Sequence, residues 1–212
     1  MKMFAMNERC GCAEEPLFLE SVLFNHGRFP LLERHMERMR VTSMAVFGKQ
    51  LLFDASVLSA SVPAVRGCYK CRILYGREVH GISFHPYTPH RIRNLRWVEA
   101  SPIDYRFKYA DRKVLELLRE KRGACDDILI GQNGFVSDTS YSNVVLWDGT
   151  DFYTPEHCLL NGIRRRFLLE TGKIKARCIR KEDLASFQKL FLINAMMDLS
   201  DGIGIDTSAI AD

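Results

Sequence analysis

Five short segments of this 212-residue chain carry side chains able to do chemistry. They are Glu33-Arg34-His35-Met36-Glu37-Arg38-Met39, Phe107-Lys108-Tyr109-Ala110-Asp111-Arg112, Val136-Ser137-Asp138-Thr139-Ser140-Tyr141-Ser142-Asn143, Asn161-Gly162-Ile163-Arg164-Arg165-Arg166 and Phe191-Leu192-Ile193-Asn194-Ala195-Met196-Met197. A lysine amine such as that of Lys108 can condense with a carbonyl and, once displaced, move a proton. A carboxylate such as Asp138 can face a cation, and backbone N–H groups at a helix start can hold an anion together with an arginine. Taken singly, each segment is also ordinary fold material. Lys108 reads as a solvated charge at a helix edge, Ser137-Asp138-Thr139-Ser140 as a polar turn, and Arg38 as an exposed helix charge paired with Glu33 or Glu37.

These groups act together only if the chain gathers them, and its apolar pattern sets the elements available. Residues 16–29 read as a hairpin, Pro16 to Phe24 followed by a turn at Asn25-His26-Gly27-Arg28. Pro30 opens a helix with Leu31, Leu32, His35, Met39, Val41 or Thr42, and Met44 on one stripe. A second helix is expected across Leu51 to Ala60, then strands at 67–75, 80–87 and 94–99. Ala100-Ser101-Pro102-Ile103-Asp104 reads as a linker, and Tyr109 to Arg122 as a helix stopped by Gly123. Lys108 is thereby expected on the strand-to-helix turn. Strands follow at 126–131, 134–137, 142–147 and 151–154, then a helix from Gly162 to Thr171 closed by Gly172. A strand at 174–179, a short helix near 181–187 and strands around 190–194 and 199–205 complete the pattern. The expected class is mixed α/β (α+β): a smaller α/β domain over 1–100, a linker at 101–105 and a larger strand-rich domain over 106–212.

In this order the segments resemble the class IV, or fold-type IV, pyridoxal-phosphate enzymes: branched-chain and D-amino-acid aminotransferases and, nearest in wording, aminodeoxychorismate lyase. The resemblance spans roughly residues 18 to 205. It implies a two-domain fold of the D-amino-acid aminotransferase type, shortened at the amino terminus, and pyridoxal 5'-phosphate as cofactor. Lys108 then matches the catalytic lysine, followed by an arginine four positions on at Arg112, and Asp138 matches the acid that keeps the pyridine nitrogen protonated. The family usually has glutamate there, one methylene longer. Gly162, Ile163 and Arg164 match the phosphate-binding turn, although a threonine or small residue is more usual at Arg164. Arg38 matches the phosphate arginine of a His-x-x-Arg-Leu pattern. Asn194 and Ala195 match the strand end of aminodeoxychorismate lyase, where aminotransferases more often show Ser-Gly-Thr or Thr-Asn-Ser. The usual amino-terminal strand and Gly-Asp-Gly loop are missing, and Leu74 to Gly81 abbreviates the substrate-facing Arg-Gly-x-Gly-Arg-Gly-Tyr loop.

The resemblance therefore implies conversion of 4-amino-4-deoxychorismate to 4-aminobenzoate and pyruvate, a step of folate synthesis. A class IV aminotransferase using the same residues is the alternative, and a binding module that lays Arg91, Arg93, Arg96 and Arg164 to Arg166 on a nucleic-acid backbone is a distant third. The expected partners are a small anionic amino-acid-like substrate and a second copy of the chain, with no nucleic acid and no membrane.

Composition agrees with an ordinary folded enzyme. The chain is 47% hydrophobic and 26% charged, and its formal net charge of +4 favours anionic ligands without arguing for nucleic acid. No apolar run is long enough to span a bilayer, and the first residues lack a signal peptide's hydrophobic centre, so a cytoplasmic location is expected. Seven cysteines suggest free thiols. Cys68 and Cys71 would face opposite sides of a strand, which argues against a zinc site completed by Cys10 and Cys12, and His80, His85 and His90 are spread out, so no metal is assigned.

Overall fold

The computed structural model describes residues 15–64 and 67–212; Cys10 and Cys12 lie outside them. Phe18–Asn25 forms β1, with Phe18, Glu20, Val22 and Phe24 buried on one face and Leu19 the one buried residue of the other. A period of two is what a strand with one covered face produces, so Glu20 occupies a core position between phenylalanine and valine. Asn25-His26-Gly27-Arg28 turns the chain, with Gly27 at φ 81°, but only a single Asn25–Arg28 bridge forms. The expected hairpin over 16–29 is therefore absent, because the chain passes Pro30 straight into a helix. That helix, α1 (Leu32–Phe47), buries His35, Met39, Thr42 and Ser43 on one stripe and ends where Gly48, at φ 68°, donates to the Met44 carbonyl. Thr42 faces inward, while Val41 and Met44 are exposed.

The partner of β1 arrives much later. After α2 (Ser56–Ala60), shorter than expected, β2 (Cys68–Tyr75) pairs with β1 antiparallel from Phe18–Tyr75 to Asn25–Cys68, and β3 (Val79–Pro86) pairs with the far side of β2. On β2 Cys71 is fully buried and Cys68 half-buried, as the alternation requires. The core beneath this three-stranded sheet joins Phe18, Val22, Met39, Leu58, Ile73 and Tyr75.

β4 (Leu95–Glu99) begins a second sheet, and the chain then runs extended to α3 (Lys113–Glu120). That helix starts four residues later than its apolar pattern suggests. Phe107 to Ala110 instead lie along β1: Leu19 N–H donates to the Lys108 carbonyl (2.9 Å) and Ala110 N–H to the Leu17 carbonyl (2.8 Å). Backbone groups committed to a strand edge cannot also close helical turns. Lys108 thus sits on a short strand-like stretch against β1, not on the helix entrance.

The rest of the chain supplies β5 (Asp127–Gln132), β6 (Phe135–Thr139), β7 (Asn143–Trp147), β8 (Phe152–Pro155), α4 (Ile163–Glu170), β9 (Lys175–Arg177), β10 (Lys189–Ile193), β11 (Gly204–Asp206) and β12 (Ile210–Ala211). The expected strand at 199–205 resolves into a 3-10 turn at Leu199–Asp201 and the short β11. A nine-stranded sheet runs β11-β10-β7-β6-β5-β4-β12, with β8 on β7 and β9 on β8; β4–β5, β4–β12 and β8–β9 are parallel. Its main core is built from Leu95, Trp97, Leu129, Val136, Leu146, Leu190 and Leu192. The architecture is mixed α/β with few helices and large sheets. No helix among the described residues is long and apolar enough to cross a membrane.

Gly131 shows how tightly the second sheet is packed. A Cβ there would run into the Trp97 ring and lie 2.6 Å from Glu99 Oε2. Gly131→Ala is expected to destabilise the protein by about 1–3 kcal/mol through overpacking, read as a lower urea midpoint at unchanged slope; an unchanged midpoint would contradict this packing.

Candidate active site

A cleft opens where β1, the stretch carrying Lys108, the β6–β7 turn, the start of α4 and the end of β10 converge. It has an inner chamber of about 560 Å³ and an adjoining outer one of about 1590 Å³, both including space open to solvent. Arg38, Lys108, Asp138, Gly162, Ile163, Asn194 and Ala195 all line the inner chamber, so residues as far apart as 38 and 195 meet in one place. The Arg164 side chain does not join them. Its Nη1 donates to Asp198 Oδ2 (2.7 Å), its Nε is buried without a partner, and only its position in the first turn of α4 remains useful to the site.

Lys108 is half-buried in the cleft wall, and its amine makes no hydrogen bond or ion pair among the described residues. Burial, with Arg38 beside it, brings its pKa down to about 8; Glu20 pulls the other way, and Arg112 and Lys70 reinforce the depression. At pH 7 roughly a tenth of the amine is therefore neutral, whereas an ordinary lysine is almost wholly charged there.

Glu20 was not singled out by the sequence pattern, yet it organises this wall. It is fully buried, and Arg38 binds it through Nε to Oε1 (2.7 Å) and Nη2 to Oε2 (2.5 Å). His35 Nδ1 lies 2.6 Å from Oε2. Burial alone would raise the Glu20 carboxyl, but Arg38 and His35 outweigh it and hold the pKa at about 2. Burial lowers the His35 pKa despite Glu20, so a neutral ring donates from Nδ1. Arg38 is thus paired with Glu20, not with Glu33 or Glu37, and its Nη1 has no partner among the described residues while the side chain lines the cleft. The signal was present: a carboxylate in register with Phe18, Val22 and Phe24, on a face that must be buried, calls for a cation.

Asp138 lies across the inner chamber on β6, opposite Asn143 of β7. Asn143 Nδ2 donates both to Asp138 Oδ1 (2.8 Å) and to the Leu160 carbonyl (2.8 Å), and Leu160 N–H donates to Asp138 Oδ2 (3.1 Å). Burial nevertheless pushes the carboxyl up to about 6, because these neutral donors only partly replace water. Gly162, expected to permit close approach of a ligand, has a nearer reason for being glycine: a Cβ there would collide with Asn143 Oδ1. The α4 amino terminus that follows has no side-chain cap, so its first-turn N–H groups remain available beside the chamber. At the end of β10, Asn194 Oδ1 accepts from Met196 N–H (2.8 Å) and Asn194 pairs with Met197, a tight turn that presents Ala195 to the cleft.

The outer chamber is lined by Lys70, Tyr87, His90, Arg112, Arg119 and Tyr141, with Glu116 as its one carboxylate. Among the described residues no cluster of three or more metal-type ligands occurs.

The class IV aminotransferase profile matches residues 17–201, a span that includes every one of these groups. The chain belongs to the class IV aminotransferase family. A Haemophilus influenzae protein of uncharacterised function is 34% identical over 187 residues, covering 87% of this chain and 99% of that protein. A solved structure from Haemophilus somnus, described as a candidate 4-amino-4-deoxychorismate lyase, is 32% identical with a TM-score of 0.79, covering 89% of this chain and all of that one (100%). A hypothetical aminotransferase from Mycobacterium tuberculosis in its PLP-bound form shares the fold at 18% identity and a TM-score of 0.73, covering 92% and 81% of the two chains. Class IV aminotransferases are pyridoxal-phosphate-dependent enzymes, and this chain has their fold.

In the cofactor-free class IV chain, Lys108 is expected to react with an amine-directed reagent with a pH midpoint near 8. Peptide-resolved labelling between pH 6 and 11 measures this; a midpoint near that of the surface lysines, roughly 10.4, would remove the electrostatic account of the cleft.

Proposed function

We propose that the cleft binds pyridoxal 5'-phosphate and converts 4-amino-4-deoxychorismate into 4-aminobenzoate and pyruvate, a step of folate synthesis. The observation that carries the cofactor reading is the complementarity of two groups in one chamber: the unpaired amine of Lys108 and the buried carboxyl of Asp138, which has neutral hydrogen-bond donors and feels the Arg165 charge but forms no ion pair among the described residues. A protonated ring nitrogen is the partner Asp138 lacks, and the uncapped α4 start with Arg38 Nη1 suits a phosphate. When bound, pyridoxal phosphate supplies an aldehyde for the lysine amine and a protonated pyridine ring that draws electrons from the substrate carbon.

The chain's own residues then have definite tasks. Lys108 Nζ, neutral near its pKa of about 8, takes the proton from the ring carbon that bears the amine. Departure of the enolpyruvyl group makes the ring aromatic, and that group leaves as pyruvate once it gains a proton. Asp138 would face the ring nitrogen as a carboxylate, and Asn143 and the Leu160 amide hold its side chain in place. Arg38, fixed by Glu20, and the Gly162-Ile163 turn would hold the phosphate.

Two observations favour the lyase over amino transfer to an oxo acid. The outer chamber is lined by Lys70, Arg112 and Arg119, the last also paired with Asp127 (3.4 Å), and by a single carboxylate, Glu116, which suits a substrate with two carboxylates, and the 32% identical Haemophilus somnus structure is described as a candidate lyase. A homodimer, with the exposed Val41, Met44 and Leu52 as interface candidates, belongs to the same proposal.

Single-turnover release of pyruvate from 4-amino-4-deoxychorismate, at saturating cofactor and without any oxo acid, tests the reading. Asp138→Asn is expected to slow it roughly 100- to 1000-fold, the scale of losing one key electrostatic group, while Asp138→Glu retains partial activity. No pyruvate release, together with conversion of the cofactor to its pyridoxamine form by an amino donor and its recovery on adding an oxo acid, would point to the aminotransferase. Full activity of Asp138→Asn would leave Asp138 a turn residue.

A further inference from the structure

We infer that Arg112 is a specificity-determining residue that receives a carboxylate of the substrate at the junction of the two chambers. The inference rests on the proposed function only in requiring that the substrate bring its amine to Lys108. Arg112 immediately precedes α3, and its side chain lines both chambers, whereas Arg38, Gly162 and Ile163 line the inner one alone. The features proposed to hold the phosphate therefore lie on the inner side, whereas Arg112 and Lys108 both stand where the two chambers meet.

The hydrogen-bond inventory of the buried and half-buried arginines near the cleft separates Arg112 from the others. Arg38 is clamped by Glu20, and Arg164 is held by Asp198. Arg165 is spent on Thr154, Asn161 and the Pro155 carbonyl. Arg112 has one contact: Nη2 donates to the Ser140 carbonyl at 2.6 Å. It forms no ion pair among the described residues, although Glu116 lines the same outer chamber, and it adds its charge to those of Arg38 and Lys70 around Lys108. Holding a half-buried cation beside like charges is unfavourable until an anion arrives. The Ser140 contact fixes the plane of the guanidinium and leaves its remaining N–H groups unengaged, the geometry for a two-point grip on a planar carboxylate. Lys70, also without an ion pair among the described residues, lies on the outer side of the same opening. The ligand class is an amino-bearing carboxylic acid whose carboxylate reaches Arg112 when its amine is at Lys108.

The test uses cofactor-loaded protein and reads binding. Calorimetric affinities are measured for benzoate, succinate and 2-oxoglutarate, each beside its neutral amide, on wild type, Arg112→Gln and Arg112→Lys, together with each protein's affinity for pyridoxal phosphate. At least one acid is expected to bind wild type better than its amide, Arg112→Gln to weaken that acid about 10- to 100-fold, the range of a charge-assisted bond, and Arg112→Lys to recover part of it. Amide and cofactor affinities should stay within about threefold, the weaker side of that tenfold scale. No preference for acid over amide in wild type overturns the inference, as does unchanged acid affinity in Arg112→Gln. Parallel loss of acid and amide would reduce Arg112 to an anchor of the Ser140 turn, and loss of cofactor affinity would make it a cofactor ligand. Persistence of the Arg112 effect in a protein that releases no pyruvate would refute the lyase reading alone.

Discussion

Glu20 places a negative charge in the core of the three-stranded sheet, and much of the site follows from how that charge is compensated. A carboxylate with no exposure to solvent persists only with close, well-directed partners. Arg38 and His35, three residues apart on the buried side of α1, provide them and thereby fix the helix against β1. The same arrangement aims the free edge of Arg38 at the cleft. Because Lys108 is bonded to β1 through its carbonyl, its amine inherits the field of this cluster: burial and Arg38 lower its pKa, and Glu20 limits the fall to about 8. Removing one partner of a buried pair would cost about 3–5 kcal/mol and would disturb the lysine at the same time.

The opposite wall follows a different logic. Asp138, Asn143, the Leu160 backbone and Gly162 form one connected unit in which strand pairing, a side-chain amide and the start of α4 constrain one another. The carboxyl that would meet a ring nitrogen and the helix start that would meet a phosphate are held by the same Asn143 side chain. Two ends of one ligand are thereby kept at a fixed separation, the pre-organisation that a cofactor site requires.

Much of this was legible in the sequence because residue type and order carry it. Lys108, Asp138, Gly162-Ile163 and Asn194-Ala195 stand in the order of a known family, and the apolar runs marked most of the strands of the second sheet. The misplacements have physical causes. Tyr109 to Arg112 continue the helical pattern, but the Lys108 carbonyl and the Ala110 N–H are spent on Leu19 and Leu17, partners some ninety residues away that local periodicity cannot reveal. The turn at Asn25-Arg28 looked like a hairpin turn because such turns share residues with any chain reversal, while the true partner of β1 lies beyond α1. Glu20 escaped notice because a strand glutamate is ordinarily solvent-facing; its alternation with Phe18 and Val22 was the clue. Asn143 escaped because its role lies in what it touches, and only Gly162, beyond β7 and β8, hinted at the crowding.

The central claim is that the cleft gathers these groups around one amine, that of Lys108. It is tested most directly by loading the protein with pyridoxal phosphate, reducing with borohydride, digesting, and locating the pyridoxyl group by mass spectrometry. The account predicts a single stoichiometric label on Lys108, lost in Lys108→Ala while the variant stays folded. A label on another lysine, or label spread over surface lysines at unchanged yield in Lys108→Ala, would contradict it.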